Sequence, residues 1–135
     1  MAFVLTGGNV NDCTRFTHVM DAISVNRIGP GRPRTRPDHL IADKGYSTRS
    51  IRRYLRRRGI AHTIPERSDQ QKHRRNRGPR GGRPPTFNKL IYRHRNVVER
   101  CFNRLKQCRC VATRYDKTSS SFHATVTIAA LLQWL

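Results

Sequence analysis

Residues 39–46 read HLIADKGY, a short apolar run that ends in a charged turn. Such a run, bounded by turn residues, is typical of a buried strand, although short runs are ambiguous. A second apolar run follows at Ile60–Ile64. Between the two runs we predict a helix, because Ser47 or Thr48 can cap its start and Gly59 can end it. The order of strand, helix and strand predicts an α/β fold with helices packed on a sheet.

Further elements are predicted on both sides of this segment. Ala2–Leu5 has the pattern of a third short strand, and Asp12 can cap a helix after it. The apolar spacing predicts one helix over about 88–107, and an apolar helix that is expected to be buried covers 122–135. Residues 66–90 are rich in arginine, glycine and proline, so we predict a flexible basic loop there. The expected sheet is short and mixed, with helices on its flanks.

The charge balance indicates a polyanionic partner. Lys and Arg number 28 against 8 Asp and Glu, the net charge is +20, and 23 of the cations are arginine. This excess argues against an enzyme for small neutral substrates and favours nucleic acid, since clustered cations release counterions from a phosphate backbone. The helix after residue 48 is predicted to present Arg52, Arg53 and Arg56 to DNA. No stretch is long and apolar enough to cross a membrane, and the first residues lack a signal-peptide pattern, so a cytoplasmic protein is expected.

Two of the eight carboxylates stand out. Asp43 ends an apolar strand, the place where ligand sites fall in open α/β sheets, although an aspartate before Lys44 and Gly45 can also simply form a turn. Glu99 lies at the border between the apolar and polar faces of its predicted helix, although an ion pair with Arg95, four residues earlier, also explains it.

The polar face around Glu99 is well defined on an ideal helix. At about 100° per residue, five side chains share a sector of about 80°: Tyr92, Arg95, Glu99, Asn103 and Lys106. Together, Asp43 and Glu99 suit Mg²⁺, which prefers carboxylate oxygen, water and substrate phosphate as ligands. Two carboxylates are few for two metal ions, and no third one lies in an evident place.

The same residues carry a resemblance to a known family. One part of the chain resembles the second-aspartate segment of bacterial insertion-sequence transposases of the DDE class, in the insertion-sequence-five and insertion-sequence-four group. This part consists of Ile41–Tyr46, the arginine-rich helix and Gly59–Pro65. The later helix is similar to the signature Y-x2-R-x3-E-x6-K of that group. All four positions and gaps are matched by Tyr92, Arg95, Glu99 and Lys106.

This resemblance implies an RNase H-like fold and a function in DNA transposition. In the family, three acidic residues bind two Mg²⁺ ions. With these ions the transposase cuts DNA at the transposon ends and joins the ends to target DNA. By the resemblance, Asp43 is the second acid and Glu99 the third, and both are metal ligands. Tyr92, Arg95 and Lys106 are then expected to contact the transposon end near the cleavage site.

The family's first catalytic aspartate lies upstream of the part that this chain resembles. Residues 1–135 are therefore expected to be the C-terminal part of a DDE catalytic domain, an incomplete RNase H-like fold that lacks its first strands. We do not expect catalysis by this polypeptide alone. The chain is expected to be either a truncated remnant or the second reading frame of an element that joins two frames, and the sequence leaves both open. The expected partners are transposon ends, target DNA, a second copy in a homodimer and, for a two-frame element, an upstream reading-frame product that supplies the first aspartate. A protein of this kind is expected on the nucleoid.

A function of a different class fits the same composition. The chain would then be a non-catalytic basic nucleic-acid-binding protein in which Asp43 and Glu99 are structural. Both hypotheses predict DNA binding that weakens steeply with salt, so binding alone does not distinguish them. Metal-dependent strand cleavage does.

Overall fold

The computed structural model describes residues 2–133 of the chain. The chain divides into two compact units. We call Arg36–Arg95 the strand unit and Met1–Thr35 with Asn96–Leu135 the helical unit. The strands are β1 (His39–Ile41) and β2 (Ala61–Thr63), and the helices are α1 (Phe16–Asp21), α2 (Arg49–Arg57), α3 (Ser68–Asn76), α4 (Lys89–Arg93), α5 (Asn96–Gln107), α6 (Arg109–Thr113) and α7 (Ser119–Leu131). This mixture of helix and strand confirms the predicted α/β class.

The strand unit is built around a β-α-β segment. β1 and β2 pair in parallel, with His39 opposite Ala61, and α2 connects them. Thr48 caps α2 by accepting a hydrogen bond from the Ile51 amide at 3.3 Å. At the other end, Gly59 has a φ of +63°, and the amide of Ile60 donates to the carbonyl of Leu55. This closure is a Schellman motif, and it turns the chain directly into β2.

The sheet has fewer strands than predicted. In the described part of the chain it contains two parallel strands, so the predictions of a mixed sheet and of a strand at Ala2–Leu5 are wrong. An isolated antiparallel bridge between Val25 and Arg34 does not join it. In the described chain, Ala2–Leu5 has no neighbouring strand to pair with, and the segment is held instead through Phe3, which packs against the helical core.

The segment predicted as a basic loop at 66–90 contains regular structure. Its first part is α3, and a 3-10 helix follows at Gly78–Gly81. α3 contains no apolar residue, so apolar periodicity did not indicate a helix there. The Gln70 side chain instead holds α3 against the start of α2 through two hydrogen bonds to Ser47.

The predicted helix over 88–107 is two helices. Asn88 caps α4, α4 ends at Arg93, and α5 begins at Asn96. The amides of His94 and Arg95 donate to carbonyls three residues earlier, so the last turn of α4 tightens and the helix ends. Asn11, and not the predicted Asp12, caps the first helical turn, because its side chain accepts from the Cys13 amide.

The helical unit has a small core. Leu105 of α5 packs with Ala129 and Ala130 of α7, and Phe3 lies against them. The terminal helix is less buried than predicted, since Ile128 is 59% exposed. Its predicted end at residues 134–135 lies outside the described residues. In the described chain, no helix has the length and apolar character needed to span a membrane.

Candidate nucleic-acid interface and acidic site

Asp43 lies two residues beyond Ile41, the last residue of β1, at the carboxyl end of a parallel strand. Its side chain is exposed, and its Oδ1 accepts a hydrogen bond from the amide of Gly45 at 2.8 Å. Asp43 therefore caps the 3-10 turn Lys44–Tyr46 while its carboxylate faces solvent. A glycine is favoured at position 45, because a Cβ there would lie 3.0 Å from Asp43 Oδ1. The turn role and the ligand role considered from the sequence are thus compatible.

Glu99 lies in the first turn of α5 and is exposed. A carboxylate in the first turn is favoured by the positive end of the helix dipole. Glu99, Asn103 and Lys106 share one face of α5 at spacings of four and three residues. Three of the five residues of the predicted polar sector therefore share a face of α5.

The sector does not continue to the first half of the signature. Tyr92 lies on α4, and Arg95 lies in the turn between α4 and α5, so the assumption of one continuous helix is wrong. The Arg95 guanidinium instead lies over the Tyr92 ring at 5.7 Å, and the Phe87 ring is 5.2 Å from the same ring. Tyr92 thus joins an aromatic pair and a cation–π contact within the strand unit.

The predicted DNA-contacting arginines of α2 have different environments. Arg53 and Arg56 are exposed, whereas Arg52 is half-buried. The Arg52 guanidinium donates to Ser47 Oγ at 3.0 Å and to the carbonyl of Ile64 at 2.8 Å. Burial lowers the pKa of Arg52, and the nearby Glu66 carboxylate opposes that shift. An arginine so placed stays charged at neutral pH and joins α2 to the end of β2.

His62 on β2 is the described histidine with a clear perturbation. Burial lowers its pKa, the hydrogen bond to the Ile60 carbonyl partly opposes this, and the positive charges of Arg52 and Arg56 lower it further, as does His39. His62 is therefore neutral at physiological pH.

The predicted site residues fall into both units. Asp43, Tyr92 and Arg95 belong to the strand unit with the α2 arginines, whereas Glu99 and Lys106 belong to the helical unit. Among residues 2–133, no three His, Cys, Asp or Glu side chains are grouped so that they could hold a metal ion. Two carboxylates have the oxygen chemistry that Mg²⁺ prefers, but they do not complete a donor set.

Sequence reasoning missed the arginines that α3 contributes to the strand unit. Arg74 of α3 forms an ion pair with Glu66, and Arg77 follows at the end of the same helix. Every residue of α3 is polar, so the sequence offers no local signal for the face that these arginines share.

Comparison with known proteins identifies the family. A family model described as "Transposase DDE domain" matches residues 1–134. The chain belongs to this DDE transposase family. The matched range includes residues of the strand unit and of the helical unit, and with them all four signature positions.

Two relatives agree with the family. A protein of Burkholderia cepacia named as a transposase for insertion sequence element IS402 is 45% identical over 67 residues, which are 50% of this chain and 32% of that relative. A protein of Brucella ovis named as a transposase for insertion sequence element IS6501 is 26% identical over 130 residues, 96% of this chain and 84% of that relative. This chain thus spans about a third of the length of the first relative. No solved structure matches this chain significantly.

Proposed function

We propose that this chain acts in DNA transposition, as part of a transposase that cuts and joins DNA strands in its complete form. The single observation that carries the proposal is the family match over residues 1–134, which contains the intact signature. The net charge of +20 supports a DNA partner. We further propose an incomplete RNase H-like fold, in the insertion-sequence-five and insertion-sequence-four group.

The proposed acidic residues are Asp43 and Glu99, as the second and third acids of the complete site. Asp43 stands at a strand end with its carboxylate exposed, and Glu99 is exposed on α5 beside Asn103 and Lys106 in helical spacing. Bound Mg²⁺ supplies activation of a water or 3′-hydroxyl and stabilisation of the leaving oxygen. The resemblance assigns this chain two of the family's three acids, so we propose that another polypeptide provides the first acid, and that this chain alone does not cleave DNA.

The proposed DNA contacts are electrostatic and aromatic. Arg53 and Arg56 are exposed on α2 and carry charge toward solvent. Tyr92, Arg95 and Lys106 are proposed to contact the transposon end, as in the family signature. We also propose that the chain binds target DNA, that it forms a homodimer, and that it is located on the nucleoid.

Strand cleavage in the presence of the upstream reading-frame product tests the catalytic part. We expect Mg²⁺- or Mn²⁺-dependent cleavage of a transposon-end duplex by the two polypeptides together, and none by this chain alone. Asp43→Asn and Glu99→Gln should each abolish it. Asp43→Asn is well suited because asparagine keeps the Oδ1 acceptor for the Gly45 amide, so the turn is preserved.

Asp69→Asn provides the matched control. Asp69 is about half exposed and pairs with Arg67 on the surface, so its loss should leave cleavage unchanged. If the joined polypeptides cleave equally well with Asp43→Asn and Glu99→Gln, the catalytic assignment is wrong. Salt-dependent DNA binding with no metal-dependent cleavage by the joined polypeptides would instead favour the non-catalytic nucleic-acid-binding alternative.

A further inference from the structure

A cleft rich in arginine lies within the strand unit. It has a volume of about 460 Å³ and is bordered by α2, α3 and the segment after α3. Six guanidinium groups line it: Arg49, Arg52, Arg56, Arg74, Arg77 and Arg83. We call this feature the arginine cleft. Its lining includes one carboxylate, Glu66, which is ion-paired with Arg74 and so neutralises one of the six charges.

The walls of the arginine cleft are held by specific contacts. Gln70 of α3 accepts a hydrogen bond from Ser47 Oγ at 2.8 Å and donates one to the Ser47 carbonyl at 2.6 Å. On the far side, Gly81 lies so close to α3 that a Cβ would overlap the carbonyl oxygen of Arg74. Side chains from separate segments are thus brought to one place by the fold.

Arg52 has unused hydrogen-bonding capacity in this wall. One terminal nitrogen donates to Ser47 and Ile64, while the other, NH1, is buried without a hydrogen-bond partner. A guanidinium carries five N–H donors in a planar fork that matches phosphate oxygens. A buried donor without an acceptor costs free energy, and an anion at Arg52 would satisfy it.

We propose that the arginine cleft binds the sugar-phosphate backbone of a nucleic acid strand. Arginines on two helices and the following segment suit successive phosphates better than one small anion. The lining contains no Phe, Tyr or Trp ring, and its one aromatic ring, the imidazole of His73, stands among six guanidinium groups, so the sugar-phosphate backbone and not the base is the main ligand. The inference rests on the proposed DNA role and adds Arg49, Arg74, Arg77 and Arg83 to its contacts.

The test uses two double variants of the full chain with the same charge change. Arg49→Gln with Arg77→Gln removes two exposed cleft arginines, one on α2 and one at the end of α3. Arg57→Gln with Arg75→Gln removes two exposed arginines from the same two helices that do not line the cleft. Affinity for a random duplex and for an abasic strand is measured by fluorescence anisotropy over a range of salt concentrations.

We expect the cleft pair to weaken binding of both probes about tenfold or more. The salt dependence should also become shallower. The magnitude of the negative slope of log K against log salt should decrease by about 0.9 for each duplex phosphate that the variant no longer neutralises. The Arg57 and Arg75 pair should change affinity less than about threefold and leave the slope nearly unchanged. Equal weakening by the two pairs would show that only total charge matters, and the proposal would then fail.

Two further results would also contradict it. One is the failure of wild type to bind the abasic strand while duplex binding is intact, since a backbone site does not need bases. The other is a combination of two results: inorganic phosphate alone stabilises the chain against unfolding, and the double variant Arg49→Gln with Arg77→Gln keeps the wild-type affinity for the duplex. That combination would indicate a small-anion site. None of these measurements needs Asp43, Glu99 or metal, so failure here is distinguishable from failure of the catalytic proposal.

Discussion

Replacing Gln70 with alanine should release α3 from the strand unit. Its side-chain amide makes two hydrogen bonds to Ser47, at 2.8 Å and 2.6 Å, and its oxygen also accepts a longer one, at 3.4 Å, from the Arg67 amide at the start of α3. Ser47 is only 3% exposed, so water does not readily replace the missing partner. Two hydrogen bonds at about 1 kcal/mol each, with part of the desolvation cost of the Ser47 carbonyl, predict a decrease of about 2–3 kcal/mol in the free energy of unfolding.

The destabilisation should be concentrated in α3. This helix has nine residues and buries no side chain, whereas isolated helices shorter than about 12–15 residues are marginal in water. Without Gln70, the amides of the helix should therefore exchange with solvent far faster than those of α2. Urea denaturation followed by far-UV circular dichroism gives the free energy, and hydrogen–deuterium exchange gives its location.

Gln71→Ala is the control for this prediction. It makes the same chemical change one position along the same helix, so the gain in helix propensity is the same. Gln71 donates one long hydrogen bond, at 3.4 Å, to the Glu66 carbonyl, and its removal should cost less than about 1 kcal/mol. Equal effects of the two substitutions would refute the argument that the Ser47 contact holds α3.

Three other predictions concern stability. Leu55→Ala removes a fully buried side chain and should lower the free energy of unfolding by about 2–5 kcal/mol, as measured by urea titration. Gly81→Ala brings a Cβ onto the Arg74 carbonyl and should cost about 1–3 kcal/mol. Gly8→Ala, which meets no neighbour, should be nearly neutral in the same titration. Burial lowers the pKa of His62 in the folded protein, so the unfolded chain binds more protons below about pH 6.5. Stability should therefore be full above that pH and fall as the pH drops toward the folded-state pKa, and His62→Gln should reduce this dependence in titrations at about pH 7.5 and 5.5.

Local signals predicted the β-α-β segment well. Thr48 caps α2, Gly59 ends it, and β1 and β2 lie within the predicted apolar runs. Each signal depends on residues that are neighbours in the chain, so it does not depend on tertiary contacts elsewhere in the molecule. The strand predicted at Ala2–Leu5 lacked such support, because a strand needs a partner that the local sequence does not specify.

The candidate site was predictable in part. Asp43 stands at a strand end as expected, and Glu99 and Lys106 share α5. The break after Arg93 was not predictable from apolar spacing, because Ile91 and Val98 lie seven residues apart, about two helical turns, and so keep the helical period across it. The approach of the Asp43 and Glu99 carboxylates stays a prediction, since the two residues belong to different units.

The sequence alone was enough for the family signature, the two ends of α2 at Thr48 and Gly59, and the positive charge, because each is a property of residues at set distances along the chain. Folding was needed for α3 and the arginine cleft. Ser47 and Gln70 lie 23 residues apart, and their hydrogen bonds bring the arginines of two helices together. A contact between distant residues is chosen by the packing of the whole unit, and no local pattern encodes it.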